Sequence, residues 1–113
     1  MIDALLAARR VATNRIIVTE LLIGAKNSQE YEELKSELAV LPHLTLTEDI
    51  WAESARLGFA LRRKGISIPL PDLVIAGCAI VRRCELLFHD QDFALIAKHA
   101  PLKIYQHNGQ IRR

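Results

Sequence analysis

The sequence predicts an α/β protein with a mainly parallel sheet. Amphipathic helical patterns alternate along the chain with short runs rich in Leu or β-branched residues, which is typical of linked strand and helix units. The 113 residues are 50% hydrophobic and 25% charged, as expected for a globular protein with one core. No internal repeat or linker-like stretch interrupts the pattern. We therefore predict one domain over residues 1–113, with a frayed tail at about 108–113.

The first half of the chain contains clear signals for helix starts and stops. Asn14 and Asn27 are suited to capping helix N-termini, and Glu30, three residues after Asn27, fits a capping box. Pro42 cannot continue the second of these helices. The predicted elements are a helical remnant at 2 to about 8, a strand at Val11–Thr13, helices ending near Ala25 and Val40, and a strand at Leu44–Leu46.

A long amphipathic helix is predicted next, over Glu48–Lys64. Thr47 is suited to cap its start, and Gly65 is suited to end it. Basic residues in its last turn complement the helix dipole. The residues available for the core are Ile50, Trp51, Leu57 and Leu61.

The helix predicted from Asp72 to about Arg83 is apolar on nearly every face. We place Pro71 at its first position and Asp72 in its first turn, where each is favoured. Because only a helix packed on most sides tolerates such composition, we expect it to lie flat on the sheet. The remaining predicted elements are a strand at Leu86–Phe88, a turn, a helix over Phe93–His99 capped by Asp92, and a strand at Leu102–Tyr105.

Composition argues against several classes of protein. No stretch approaches the ~18 consecutive apolar residues of a membrane-spanning helix. The formal charge of +2 is too small to argue for nucleic-acid binding from bulk electrostatics. Cys78 and Cys84 lack CxxC spacing, and the four histidines share no zinc-site spacing, so both cysteines are expected to be core residues. The opening residues do not resemble a signal peptide, and we expect a cytoplasmic protein.

Three acidic residues occupy positions that solvation alone explains poorly. Glu20 lies among apolar helix residues, Asp72 precedes an apolar helix, and Asp90 directly follows a strand. In an open parallel sheet, ligands gather at the carboxyl edge of the strands. Carboxylates crowded there repel one another, and a hard divalent cation such as Mg²⁺ or Mn²⁺ is the natural compensation. The sequence thus suggests a metal site.

Each acid also has a simpler interpretation. Asp72 fits a partner for the helix dipole, and Glu20 fits an exposed helix glutamate. Asp90 fits a turn residue, and Asp92 fits an N-cap better than a metal ligand. Arg62, Arg63 and Lys64 fit either contacts to nucleic-acid phosphates or the helix-end dipole. From the residues alone, these alternatives stay open.

Three segments in order resemble the PIN domain, and within it the VapC-type toxins of bacterial toxin–antitoxin pairs. They are VTELLIG at 18–24, PDLVIAGCA at 71–79 and LLFHDQDFALIA at 86–97. With the helix-rich insert between the first two, they span nearly the whole chain.

The resemblance implies a Mg²⁺-dependent ribonuclease that hydrolyses RNA phosphodiester bonds and has a cognate antitoxin. It matches Glu20, Asp72 and Asp90 to the family's catalytic and metal-binding acids, with Asp92 as a further ligand candidate. Mn²⁺ is an alternative cation.

The match departs from the family pattern at the N-terminus. PIN domains open with an apolar strand that ends in an aspartate, and the given sequence shows no such segment before Met1. We accordingly expect a three-layer α/β/α fold without its first, central strand, which would leave strand edges unpaired. Self-association as a homodimer or higher oligomer would cover them.

Two rival interpretations stay open, of which the missing aspartate supports the first. One is a catalytically incomplete PIN-like module that binds an antitoxin or a second copy of itself. The other is a receiver-like phosphoacceptor domain, but the sequence lacks its paired acids after a first strand and its lysine after a last strand.

Overall fold

The computed structural model of the protein describes residues 12–105 and 111–112. The predicted remnant at 2 to about 8 and the start of the predicted strand at Val11 lie outside them. The chain divides into two compact units, Met1–Leu46 and Thr47–Arg113. The single domain over residues 1–113 stays a prediction. Among the described residues, no helix combines the length and apolar character needed to cross a bilayer.

The first unit contains the helices α1 (Arg15–Ile23) and α2 (Ser28–Ala39). Both predicted caps are confirmed. Asn14 Oδ1 accepts from the Ile17 N–H at 3.0 Å, and Asn27 Oδ1 accepts from the Glu30 N–H at 2.8 Å. Glu30 Oε1 in turn accepts from the Lys26 N–H at 3.2 Å, one residue before the usual partner in a capping box. Local side-chain chemistry therefore sets where these helices begin.

The strand predicted at Leu44–Leu46 is wrong. Regular pairing there is confined to one parallel bridge between Thr13 and His43. The Thr13 N–H donates to the Pro42 carbonyl at 2.9 Å, and the Leu44 N–H donates to the Thr13 carbonyl at 2.6 Å. Because the very next residue, Asn14, caps α1, the partner segment turns away before Leu44–Leu46 can pair with it.

The second unit opens with α3 (Glu48–Arg63), which ends as the sequence predicts. Gly65 has φ +81°, and the Ile66 N–H reaches back to the Leu61 carbonyl at 3.0 Å, which is the pattern of a Schellman motif. Three of its four predicted core residues are buried: Ile50, Leu57 and Leu61. Burial of each contributes about 1.5–3 kcal/mol.

Trp51 is the fourth predicted core residue, and that prediction is wrong. Its side chain is 41% exposed. The neighbouring Ile50 is fully buried, and residues adjacent in a helix point about 100° apart, so both cannot face the same core.

The apolar helix is α4 (Leu70–Arg82), which starts two residues before the predicted Asp72 and places Pro71 at its second position. Its main neighbour is α3 rather than the sheet, which corrects the expected packing. A Cβ at Gly77 would lie 3.3 Å from the Ile50 carbonyl oxygen and would collide with Ser54 Oγ. This close approach of two helices explains the nearly continuous burial of α4.

Two short parallel strand pairs and one helix complete the second unit. The predicted strand at Leu86–Phe88 is interrupted at Leu87, so it forms two strands. β1 pairs with β3, aligning Leu86 with Ile104, and β2 pairs with β4, aligning His89 with Arg112. The elements are β1 (Glu85–Leu86), β2 (Phe88–His89), α5 (Gln91–Ala97), β3 (Lys103–Ile104) and β4 (Ile111–Arg112).

All described strand pairs are parallel, which confirms that part of the predicted fold class. The predicted frayed tail is wrong at Ile111–Arg112, because these residues pair with β2. Its other residues lie outside the described part of the chain.

Candidate metal centre

Asp72 is placed by the first turn of α4. The helix begins after Pro69, and Pro71 in the first turn fixes a backbone angle that suits a helix start. Asp72 is 4% exposed, beside the buried Val74 and Ile75. A buried carboxylate is costly without compensation, and its place in the first helical turn provides part of it.

Asp90 and Asp92 are placed by the turn into α5. Asp90, rather than the predicted Asp92, is the N-cap: its backbone is extended, and its Oδ1 accepts from the Phe93 N–H at 3.1 Å. Because the helix starts at Gln91, Asp92 lies inside the first turn and cannot cap it. The fully buried Phe93 anchors this turn in the core.

The structure brings three carboxylates together at this point. Asp72, Asp90 and Asp92 each offer an oxygen, and these oxygens lie within 4.8 Å of one another. Asp72 is buried, whereas Asp90 and Asp92 are half-buried, so the group is in part exposed to solvent. Carboxylates this close repel one another unless a cation or protons compensate.

The donor set fits a hard divalent cation. Mg²⁺ and Mn²⁺ prefer oxygen ligands and are commonly held by a few carboxylates together with water and substrate oxygens. The described part of the cluster contains neither sulfur nor imidazole donors, which zinc and copper sites favour. The residues present are therefore compatible with the predicted metal type.

Glu20, the fourth predicted site residue, belongs to the other unit. It lies on α1 with a half-buried side chain, and its backbone carbonyl accepts from the Gly24 N–H at 3.3 Å at the end of that helix. Its role as a catalytic and metal-binding residue stays a prediction.

The basic residues predicted to contact nucleic acid lie at the C-terminal end of α3. The Arg63 guanidinium stands over the Phe59 ring at 5.6 Å, and Lys64 Nζ lies 3.4 Å from His99 Nδ1. Arg62 and Arg63 are among the residues that line an open groove of about 430 Å³, together with Ile66, Ile68 and Leu73. Their contact with RNA stays a prediction.

A family model for the PIN domain matches residues 2–99. The chain thus belongs to the PIN domain family, whose members are generally nucleases that use divalent metals. A comparison with curated proteins found no significant match.

Solved structures of toxin–antitoxin proteins share the fold. VapBC2 from Rickettsia felis, bound to a DNA fragment from its promoter, superposes with a TM-score of 0.69 at 22% identity, covering 91% of this chain and 81% of that one. VapBC-5 from Mycobacterium tuberculosis gives 0.68 at 27% identity, covering 91% and 82%. A toxin–antitoxin complex from Klebsiella pneumoniae gives 0.60 at 26% identity, covering 82% and 75%.

These matches confirm the PIN-like α/β fold and the resemblance to VapC toxins. The Rickettsia match, at 22% identity, bears on the fold alone. In that fold, the three aspartates of the second unit form the candidate metal centre.

Proposed function

We propose that the protein is a Mg²⁺-dependent endoribonuclease, the toxin component of a bacterial toxin–antitoxin pair. The observation that carries the proposal is the convergence of Asp72, Asp90 and Asp92 within 4.8 Å in a chain of the PIN family. Such a cluster is suited to a divalent cation, and the family's general activity is cleavage of nucleic acid. Mn²⁺ is expected to substitute for Mg²⁺, because both accept the same oxygen ligands.

In this proposal, the three aspartates hold the cation and Glu20 is the further acid of the site. Bound Mg²⁺ would lower the pKa of a coordinated water and stabilise negative charge on the scissile phosphate. Asp72 supplies a fixed ligand, because it is buried in the first turn of α4. Asp90 is oriented by the bond from the Phe93 N–H, which holds its carboxyl group beside the other two.

RNA is the proposed substrate, and the basic end of α3 at Arg62–Lys64 is the proposed contact for its phosphates. A cation in the acidic centre would supply the positive charge that a polyanion needs there. We also propose a cognate antitoxin as partner, since two structures at 26–27% identity are of toxin–antitoxin complexes or systems. A cytoplasmic location accords with cellular RNA as substrate.

The test is cleavage of labelled RNA by the purified chain with Mg²⁺, with Mn²⁺ and with chelator. We expect cleavage that chelator abolishes and that Asp72→Asn reduces by at least about 10²-fold, as expected for loss of a metal-dependent step. Asp49→Asn is the matched control: Asp49 is an exposed aspartate of α3 outside the cluster, and this variant should cleave normally.

Cleavage that survives both chelator and Asp72→Asn would point to a contaminating nuclease and refute the assignment. If the folded chain binds no divalent cation and cleaves no RNA, the alternative of a catalytically incomplete PIN-like module for protein association is favoured instead.

A further inference from the structure

Lys64 and His99 bring hydrogen-bonding groups together from two helix ends of the second unit. Lys64 directly follows α3, and His99 lies two residues after the end of α5. Although 35 residues separate them in the chain, Lys64 Nζ lies 3.4 Å from His99 Nδ1. Both side chains are exposed. The two residues therefore form one surface site, hereafter the Lys–His pair.

The Lys–His pair presents donors to the solvent. A lysine ammonium has three N–H donors and no acceptor, so we assign Nδ1 of neutral His99 as the acceptor of the bond between them. The ring proton then lies on Nε2, which can donate to a ligand. Lys64 retains two further N–H groups. Such a site suits an anion with several oxygens, as a phosphate group has.

The chain around the Lys–His pair is free of acidic residues. None occurs at 54–71, the stretch that contains Lys64, or at 93–113, the stretch that contains His99. Lys98, next to His99, is also exposed. Within the described residues, no salt bridge involves any of these three side chains. Their positive charge is therefore available to an anionic ligand.

The helix dipole explains only part of this arrangement. It stabilises a cation near the C-terminal end of a helix, which applies to Lys64 and Lys98 separately. It gives no reason for side chains from two helix ends to lie next to each other. The dipole also opposes an anion there, but with only about half a negative charge at each helix end. The four cations Arg62, Arg63, Lys64 and Lys98 outweigh that charge.

Helix α5 connects the Lys–His pair to the candidate metal centre. Asp90 caps the start of α5, and His99 comes nine residues later. At 1.5 Å per residue, the two positions are about 13 Å apart along the helix. Phe93 and Ile96 are fully buried and fix α5 in the core, so the fold maintains this separation. One polyanion can therefore place different phosphates at the two ends of α5.

We propose that Lys64 and His99 form a second phosphate site, which holds the RNA backbone about one length of α5 away from the phosphate at the metal centre. The inference rests on the proposed function, because it takes RNA as the polyanion. It adds His99 to the contact surface. It also separates Lys64 from Arg62 and Arg63, which are among the residues lining the groove beside Phe59. Because the site contacts phosphates, it strengthens RNA binding without regard to base sequence.

Binding of labelled single-stranded RNA in the presence of chelator tests this site apart from cleavage. Fluorescence anisotropy gives Kd over a series of salt concentrations. We expect the double variant Lys64→Gln/His99→Ala to bind RNA several-fold more weakly. The slope of log K against log salt should become shallower by about 0.7, the value for one phosphate contact to a single strand. Two RNAs of unrelated sequence should lose affinity equally.

Matched variants show whether positive charge at this place is what matters. Lys35→Gln removes the same charge from an exposed position on α2, in the other unit, and should leave the Kd and the slope unchanged. Lys64→Arg keeps the charge and should retain the slope. Circular dichroism melting shows whether each variant is folded.

Kinetics of cleavage separate the Lys–His pair from the metal centre. We expect the double variant Lys64→Gln/His99→Ala to raise KM several-fold with kcat nearly unchanged. A contact far from the scissile bond stabilises the bound substrate and the transition state equally. Asp72→Asn should instead lower kcat, because it removes a proposed metal ligand.

An RNA affinity and a salt slope that are unchanged in the double variant would overturn the second phosphate site, while a chelator-sensitive nuclease would stand without it. A wild type that binds no RNA in chelator, or a loss of affinity that depends on RNA sequence, would also overturn it. A shallower slope in the double variant of a chain that cleaves no RNA would support the phosphate site and refute only the proposed nuclease activity.

Discussion

Asp90 serves both the helix that follows it and the acidic cluster. One carboxylate oxygen accepts the Phe93 N–H at the start of α5, and the residue also joins Asp72 and Asp92 within 4.8 Å. The capping role requires only an acceptor oxygen, whereas the proposed metal role requires negative charge. Substitutions can separate the two roles.

We expect Asp90→Asn to keep the stability of α5 and Asp90→Ala to lose about 0.5–2 kcal/mol of unfolding free energy, because Asn caps helices as well as Asp does and Ala does not. Both variants should lose Mg²⁺ affinity. Urea unfolding without metal, beside metal titration of each variant, checks this. Equal stability of the two variants would show that the cap bond contributes nothing.

The pair of Thr47 and Asp49 at the start of α3 makes a second residue-scale prediction. The Thr47 hydroxyl donates to the Asp49 carboxylate and lowers the pKa of Asp49 below its ordinary value. The stabilisation of the folded state by this hydrogen bond is therefore present above the ordinary pKa of an aspartate. It is lost as the pH falls through the lowered pKa of Asp49.

We expect Thr47→Val to raise the pKa of Asp49 toward its ordinary value, since Thr47 makes no side-chain bond to the backbone of α3 that the change would also remove. Titration of the Asp49 carboxyl by NMR measures this, and Thr47→Ser, which retains the hydroxyl, is the matched control. An unchanged pKa in Thr47→Val would mean that other groups set it.

The acids at the site show what sequence alone can predict at this scale. Asp72 and Asp90 are recognisable as candidate site residues because each adjoins an apolar element, a position that solvation of a charge alone explains poorly. The N-cap is Asp90 and not the predicted Asp92, because Asp-x-Asp-Phe offers two possible caps and only the helix boundary decides between them. That boundary depends on how Phe93 reaches the core, which is a tertiary effect.

At the scale of elements, the packing of α4 on α3 depends on glycine. A methyl at Gly77 would meet Ser54 and the Ile50 carbonyl, both in the buried face of α3. At Gly58, a methyl would lie 2.8 Å from Leu73 Cδ1, the end of a flexible side chain that can move. A methyl group at Gly77 therefore meets backbone of α3, whereas a methyl group at Gly58 meets only a side chain that can move.

We expect Gly77→Ala to cost about 1–3 kcal/mol, as overpacking against backbone does. Gly58→Ala should stay within about 1 kcal/mol of the wild type, because higher helix propensity offsets the shift of Leu73. Chemical denaturation of both variants distinguishes the two positions. A larger loss for Gly58→Ala than for Gly77→Ala would contradict the observed helix contact.

Helices were more predictable than strands. Asn14, Asn27 and Gly65 determine helix ends through contacts within a few residues, and such signals are legible in the chain. The strands predicted at Leu44–Leu46 and Leu86–Phe88 depend on partners elsewhere in the chain. Their boundaries are therefore not predictable from the local sequence. Trp51 is wrongly predicted as a core residue because α3 carries large apolar side chains on its exposed surface as well as in the core, and hydrophobic spacing alone does not say which of them the fold covers.

At the scale of the whole molecule, the chain combines an acidic centre with a basic helix end in a PIN-family protein. Resemblance in three short segments identified the family, and the family match over residues 2–99 confirms it. The resemblance offers Asp92 only as a further ligand candidate, because the three aspartates meet only when the turn into α5 approaches the start of α4.

The most direct test is calorimetric titration of the folded chain with Mg²⁺, and in parallel with Mn²⁺. We expect binding by the wild type and by the Asp49→Asn control, and its loss in the double variant Asp72→Asn/Asp90→Asn, which keeps the α5 cap and removes two of the three carboxylates. Undiminished binding by the double variant, or no binding by the wild type, would contradict a metal centre at these aspartates.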